Sequence, residues 1–240
     1  MAEVLLGEGS GAVGEDLGKK SMRKMLLTST GLNPELAKEF LTLVGTKPAE
    51  TKVGFIWNAN DPYATSETEG YVLKEKSAFE SLGFTDHRDV DLRVAEDLAK
   101  LDECGVICVG GGNTYYLLKL VRESKFDVKL KELLSNDKVY MGISAGSIIV
   151  GTSIETAGVG PSADSNDAKL EDLRGLRQVP FMVAVHMEQK QKIYYDQFAR
   201  TRQLRPIIGI SDEQAIVCEG DRYRVVGPGK PMTWSSKLFR

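Results

Sequence analysis

The sequence predicts an α/β domain: a doubly wound, mainly parallel sheet flanked by helices, with antiparallel strands near the C-terminus. Three observations carry that prediction. Short apolar runs of β type alternate with helical patterns along most of the 240 residues. Most of those runs are apolar through consecutive residues rather than at every second one, as in strands buried on both faces. The last stretch, QAIVCEGDRYRVVG (214–227), folds back around EGDR, the signature of a hairpin.

In chain order the strand-like runs are KMLLTST (24–30), KVGFIWNA (52–59), FTDHRDVDL (84–92), CGVICVG (104–110), KVYMGIS (138–144), PFMVAVH (180–186), PIIGI (206–210) and QAIVCEG (214–220). Helical patterns fill 34–44, 67–81, 94–101, 114–122, 126–135, 145–151 and 189–202. The first helix shows how its ends are set. Asn33 can cap it, Pro34 suits its first position, and Gly45 lies just past its end. Residues 1–21 are glycine-rich and without sustained period, so they read as a flexible extension before a single domain over 22–240. The longest stretch without a pattern, 155–179, is long enough for a functional loop, such as a lid or specificity segment.

Bulk composition narrows the function. Apolar residues make up 42% and charged residues 27%, the make-up of a soluble globular protein. A net charge of −3 offers no basic field to nucleic acid or to an anionic membrane. The Lys-rich GKKSMRK near the start is more simply a solvated segment. Cys104, Cys108 and Cys218 include no CxxC pair, and two of them sit in apolar runs, so they read as core residues in a reducing compartment. No apolar run approaches eighteen residues, and the start lacks a secretory h-region, so the expectation is cytoplasmic. With only two histidines, His87 and His186, a histidine-rich zinc site is not expected, and neither a metal nor another cofactor is called for.

Two glycine turns fall at strand ends, where doubly wound sheets bind ligands. One is Gly110-Gly111-Gly112 before a helix opened by Asn113 or Thr114, two residues read as substrate contacts. The other is Gly142-Ile143-Ser144-Ala145-Gly146, the Gly-x-Ser-x-Gly of a nucleophile elbow. A tight strand-to-helix turn lifts the Ser144 hydroxyl and turns the Ala145 N–H towards it. Gly111 or Gly112 can add the second N–H of an oxyanion hole. His186 ends an apolar strand on the matching edge, whereas His87 lies among charges on an edge-like strand, so His186 is the candidate base. The acid that fixes its tautomer stays open among Glu155, Asp164, Asp167, Glu188, Asp212 and Glu213.

VGGGNTYYLL, GISAGSIIVG, VPFMVAVH and GISDEQAIV, in that order and spacing, resemble the peptidase E family of serine peptidases, family S51, whose relatives include cyanophycinase. The resemblance covers roughly 22–230. It implies a class I glutamine amidotransferase-like fold and a triad in the chain order Ser…His…acid: Ser144, His186, then Asp212, with Glu213 and Glu188 as alternative acids. It also implies hydrolysis of dipeptides with N-terminal aspartate, or of β-aspartyl peptides in the cyanophycinase branch. AVHMEQ stands where the family carries Pro-His-aromatic, a departure that bears on substrate preference. The expectation is a cytoplasmic serine peptidase acting on a small peptide, with no nucleic-acid or membrane partner; a homodimer is an admissible assembly. An amidase or cyanophycinase-like hydrolase, or a non-catalytic small-molecule-binding member, is the alternative.

Overall fold

The computed structural model describes residues 4–6, 22–63, 66–201 and 206–234. Its strands are β1 (Val4–Leu6), β2 (Lys24–Thr28), β3 (Val53–Ile56), β4 (His87–Asp89), β5 (Val106–Val109), β6 (Val139–Ile143), β7 (Met182–Ala184), β8 (Ile207–Gly209), β9 (Ala215–Glu219), β10 (Arg222–Val226) and β11 (Met232–Trp234). The α-helices are α1 (Pro34–Val44), α2 (Ser66–Ser81), α3 (Thr114–Glu123), α4 (Phe126–Ser135), α5 (Ala145–Ile149) and α6 (Lys192–Thr201). Of the extension expected over 1–21, Val4–Leu6 is described, as an edge strand; the rest lies outside the described residues.

Eight strands form one sheet in the order β1-β10-β9-β2-β6-β5-β3-β4. The block β2-β6-β5-β3-β4 is parallel, and the β9–β10 hairpin joins it antiparallel along β2. Strands β3, β5 and β6 are buried at every position, which explains their unbroken apolar sequences. Two apolar layers cover the sheet. Leu36 and Phe40 of α1 and Phe79 of α2 pack on one face, against Phe55, Cys108 and Met141. Leu117 of α3, Leu130 of α4 and Ile149 of α5 pack on the other, around Tyr140.

One feature of the sheet departs from the sequence reading. PFMVAVH and PIIGI do not join the main sheet; β7 and β8 pair in parallel with each other, and β11 completes a separate three-stranded sheet, β11-β8-β7. The position beside β2 is already filled by the β9–β10 hairpin, so these strands find their backbone partners elsewhere. Stretch 95–103 winds as a 3-10 helix, and the Asp97–Lys100 pair at i,i+3 suits its three-residue turn.

The ends of α1 are as the sequence reads. Asn33 Oδ1 accepts from the N–H groups of Glu35 and Leu36 at 3.0 and 2.9 Å, a cap worth about 1 kcal/mol. Gly45 closes the helix in the left-handed region at φ 69°. The three cysteines are free and buried. Burial pushes the Cys104 thiol up to about 11 and Cys218 up to about 12, so neither is a nucleophile near neutrality. No described helix is long and apolar enough to cross a membrane.

Candidate active site

Strand β6 delivers Ser144 at the carboxyl edge of the sheet. The serine has φ 50° and ψ −109°, a conformation that a non-glycine residue holds only when its surroundings impose it. Its N–H donates to the Thr28 carbonyl at 3.0 Å, tying the turn to β2. The helix that follows passes so close to β5 that a Cβ on Gly146 would lie 2.1 Å from the Val109 carbonyl oxygen. Only glycine fits there, which is the physical meaning of the second glycine in Gly-x-Ser-x-Gly. Ser147 anchors the same turn, donating to the Thr28 and Gly142 carbonyls, each at 2.8 Å.

The separate sheet delivers the other two groups. Because β7 and β8 run in parallel with Ala184 beside Gly209, the residues beyond their ends, His186 and Asp212, emerge side by side. Ser144 Oγ lies 3.0 Å from His186 Nε2, and His186 Nδ1 lies 2.7 Å from Asp212 Oδ1. An ionised carboxylate can only accept, so Nδ1 carries the hydrogen and Nε2 is left to accept from the serine hydroxyl. That is the tautomer a serine nucleophile requires. The His186 and Asp212 side chains are 44% and 57% exposed, so their mutual attraction contributes little to their placement.

Placement comes instead from the loop after β2. Ser29 Oγ accepts the His186 N–H at 3.0 Å and donates to the Ile210 carbonyl at 3.2 Å, bridging the two strand ends. Thr30 Oγ1 donates to the Asp212 carbonyl at 2.9 Å. Neither residue stands out by motif; the visible sign is a run of three hydroxyl residues, TSTG, at the end of a buried strand.

The other predicted residues divide. Gly111 backs directly onto the serine, since a Cβ there would lie 3.1 Å from Ser144 Cβ. The hydroxyl of Tyr71 on α2, a residue the sequence did not single out, lies beside it, 3.5 Å from that Cβ position. Gly112, at φ 130°, lies against the Ala59 carbonyl with no room for a Cβ. The Ala145 N–H opens α5, where no intrahelical acceptor exists for it. Asn113 and Thr114 are 4% and 1% exposed. Asn113 caps α3 through Tyr116 N–H and donates to Tyr63 Oη and the Ser165 carbonyl, while the Thr114 N–H donates to Asp164 Oδ2 at 2.8 Å. Both therefore brace the glycine turn against the 155–179 loop, and their described polar contacts are internal.

Among the candidate acids, Glu188 pairs with Lys190 at 2.8 Å and caps the 3-10 turn Gln189–Gln191. Glu213 is exposed, and its carbonyl accepts from Asn33 at 3.4 Å. Asp164 turns its carboxylate to the Thr114 N–H; burial raises its carboxyl above the ordinary range, opposed by the hydrogen bond to Thr114. His87 lies away from the site, with Nε2 2.7 Å from the Phe84 carbonyl. Among the described residues, no cluster of His, Cys, Asp or Glu gathers as a metal would require.

A family model described as peptidase family S51 matches residues 25–226, most of the chain and all of these residues. The chain belongs to peptidase family S51. As a member it is a serine peptidase, and its relatives agree. Peptidase E of Streptomyces coelicolor is 26% identical over 208 residues, 83% of this chain and 79% of that one. Peptidase E of a Nostoc species is 30% identical over 140 residues, 56% of this chain and about half, 52%, of its own. The fold recurs in the crystal structure of a peptidase E-type protein from Listeria monocytogenes, with a TM-score of 0.72 at 24% identity, covering 87% of this chain and 100% of that one. It recurs also in a peptidase from an acI-B1 actinobacterium, with a TM-score of 0.66 at 19% identity, over 90% and 92% of the two chains.

Proposed function

We propose that this S51 peptidase hydrolyses short peptides, with dipeptides bearing N-terminal aspartate as the first substrate class, through Ser144, His186 and Asp212. The continuous hydrogen-bonded line from Ser144 Oγ through the imidazole to Asp212 Oδ1 carries the reading. Ser144 attacks the scissile carbonyl carbon while its proton passes to His186 Nε2. Asp212 keeps Nδ1 protonated and stabilises the imidazolium. The Ala145 N–H, with Gly111 or Gly112, faces the oxyanion. His186 then protonates the leaving amine, and water resolves the acyl-enzyme by the reverse proton path.

Ser144→Ala is expected to cost at least ten-thousand-fold in kcat/KM with an unchanged melting temperature. A folded variant with full peptidase activity would sink the assignment. The substrate class is tested separately with Asp-Xaa dipeptides, the same dipeptides with neutral first residues, and β-aspartyl-arginine. Preference for β-aspartyl-arginine would move the protein to the cyanophycinase-like reading. Labelling of Ser144 by a fluorophosphonate without turnover of any peptide would favour a binding role.

A further inference from the structure

Glu75 is a buried ionisable side chain that the triad leaves unused. It lies on α2 with 3% of its surface exposed, and its Oε2 has no hydrogen-bond partner. An unsatisfied carboxyl is costly to bury, so its position calls for a physical account. The carboxyl packs on the β2–α1 loop at Gly31, where a Cβ would lie 2.1 Å from Oε2. This is the loop whose Thr28 carbonyl, Ser29 and Thr30 hold Ser144, His186 and Asp212. Tyr71, four residues earlier on the same helix face, has its hydroxyl beside Gly111, 3.5 Å from where a Cβ would stand, and Gly111 backs onto Ser144.

We propose that Glu75, acting through Tyr71 and Gly111, is a positioning residue of the Ser144 site, and that the site holds its oxyanion well only while Glu75 is protonated. The inference rests on Ser144 being the nucleophile. The titratable groups facing Glu75 are Tyr71 and Lys74 on its own helix and Cys108 on β5; the β2–α1 loop meets it with the backbone of Gly31. Burial raises the Glu75 carboxyl to about 7, with Lys74 opposing. Burial likewise raises Tyr71 and Cys108, so both stay neutral near pH 7. As pH rises through about 7, Glu75 releases its proton to solvent, and a negative charge stands behind the turn that must accept another. Repulsion between two like charges at an effective dielectric near 20 slows oxyanion formation on the order of tenfold.

The test is the rate of fluorophosphonate labelling of Ser144 from pH 6 to 9, in the wild type and in Glu75→Gln, with Ser144→Ala as the blank. The wild-type rate should fall about tenfold above pH 7, while Glu75→Gln stays level to pH 9. A wild-type rate that does not fall overturns the proposal, whether or not the variant folds. So does an equal fall in a folded Glu75→Gln. Melting temperature gives a second reading. The folded chain binds the Glu75 proton more tightly than the unfolded chain, so its stabilising effect is complete below about pH 4.5 and lost as pH passes 7. The wild type should therefore lose stability relative to Glu75→Gln between pH 5 and 8; a constant difference shows that Glu75 does not titrate and overturns the proposal. If Ser144 is not labelled at any pH, the nucleophile reading fails first and takes this inference with it.

Discussion

Ser144 and the His186–Asp212 pair are held by different physics. The serine sits on a turn packed at the end of the main sheet, and its conformation is enforced by close backbone approaches such as Gly146 against Val109. The pair sits at the exposed end of a three-stranded sheet and is aimed by hydroxyl groups of the β2–α1 loop. Steric enforcement leaves a motif, because only glycine satisfies it. Aim by hydrogen bonds leaves almost none, because many polar residues could serve. The same contrast predicts how each half breaks: the glycines that enforce the turn should fail in stability and the pair in rate.

A large rate effect is expected at Asp212, the group that orients His186. Asp212→Asn keeps the shape but allows the wrong imidazole tautomer, and kcat should fall about a thousand- to ten-thousand-fold. Glu213→Gln and Glu188→Gln should stay within about twofold of wild type, since neither carboxyl bonds His186. The three kcat values, measured on folded proteins, decide it. A loss at Glu213 matching that at Asp212 would show that the acid had been misassigned.

The turn should respond differently. Gly146→Ala forces a methyl against the Val109 carbonyl, and stability should fall by about 3 kcal/mol in urea unfolding. Gly70 on α2 has nothing within 4 Å of a Cβ position, so Gly70→Ala should raise stability by roughly 0.5–1 kcal/mol. Equal effects at the two positions would remove the steric account of the elbow.

This contrast also explains how much was legible beforehand. The alternation of apolar runs and helical periods gave the main sheet, because burial on both faces writes itself into every residue of β3, β5 and β6. Ser144, Gly111 and Gly146 were legible because each has a steric requirement that few residue types meet. His186 is legible from its strand end, and Asp212 only through the family resemblance, since strand ends leave six carboxylates open; the separate sheet that carries them is not legible, because β7, β8 and β11 are three residues each and pair by position rather than by pattern. Ser29, Thr30, Tyr71 and Glu75 escaped notice for a related reason. Their roles depend on which loop or helix turn happens to lie opposite them, and a serine or glutamate at such a place reads as any solvated residue would.

Ser29 offers the finest test of that division. Its hydroxyl joins the His186 backbone N–H to the Ile210 carbonyl, so it fixes the backbone that carries the imidazole. Ser29→Ala removes one neutral acceptor and one donor, a change worth about 1 kcal/mol in stability. In the rate it should appear as a fall of about tenfold in kcat with KM nearly unchanged, because the loss is of orientation rather than of binding. Ser29→Thr keeps the hydroxyl and should restore most of the rate if the added methyl is accommodated. A Ser29→Ala enzyme that loses stability but keeps its kcat would mean that the β7–β8 pairing alone aims the histidine, and that the hydroxyl loop serves the fold instead of the reaction.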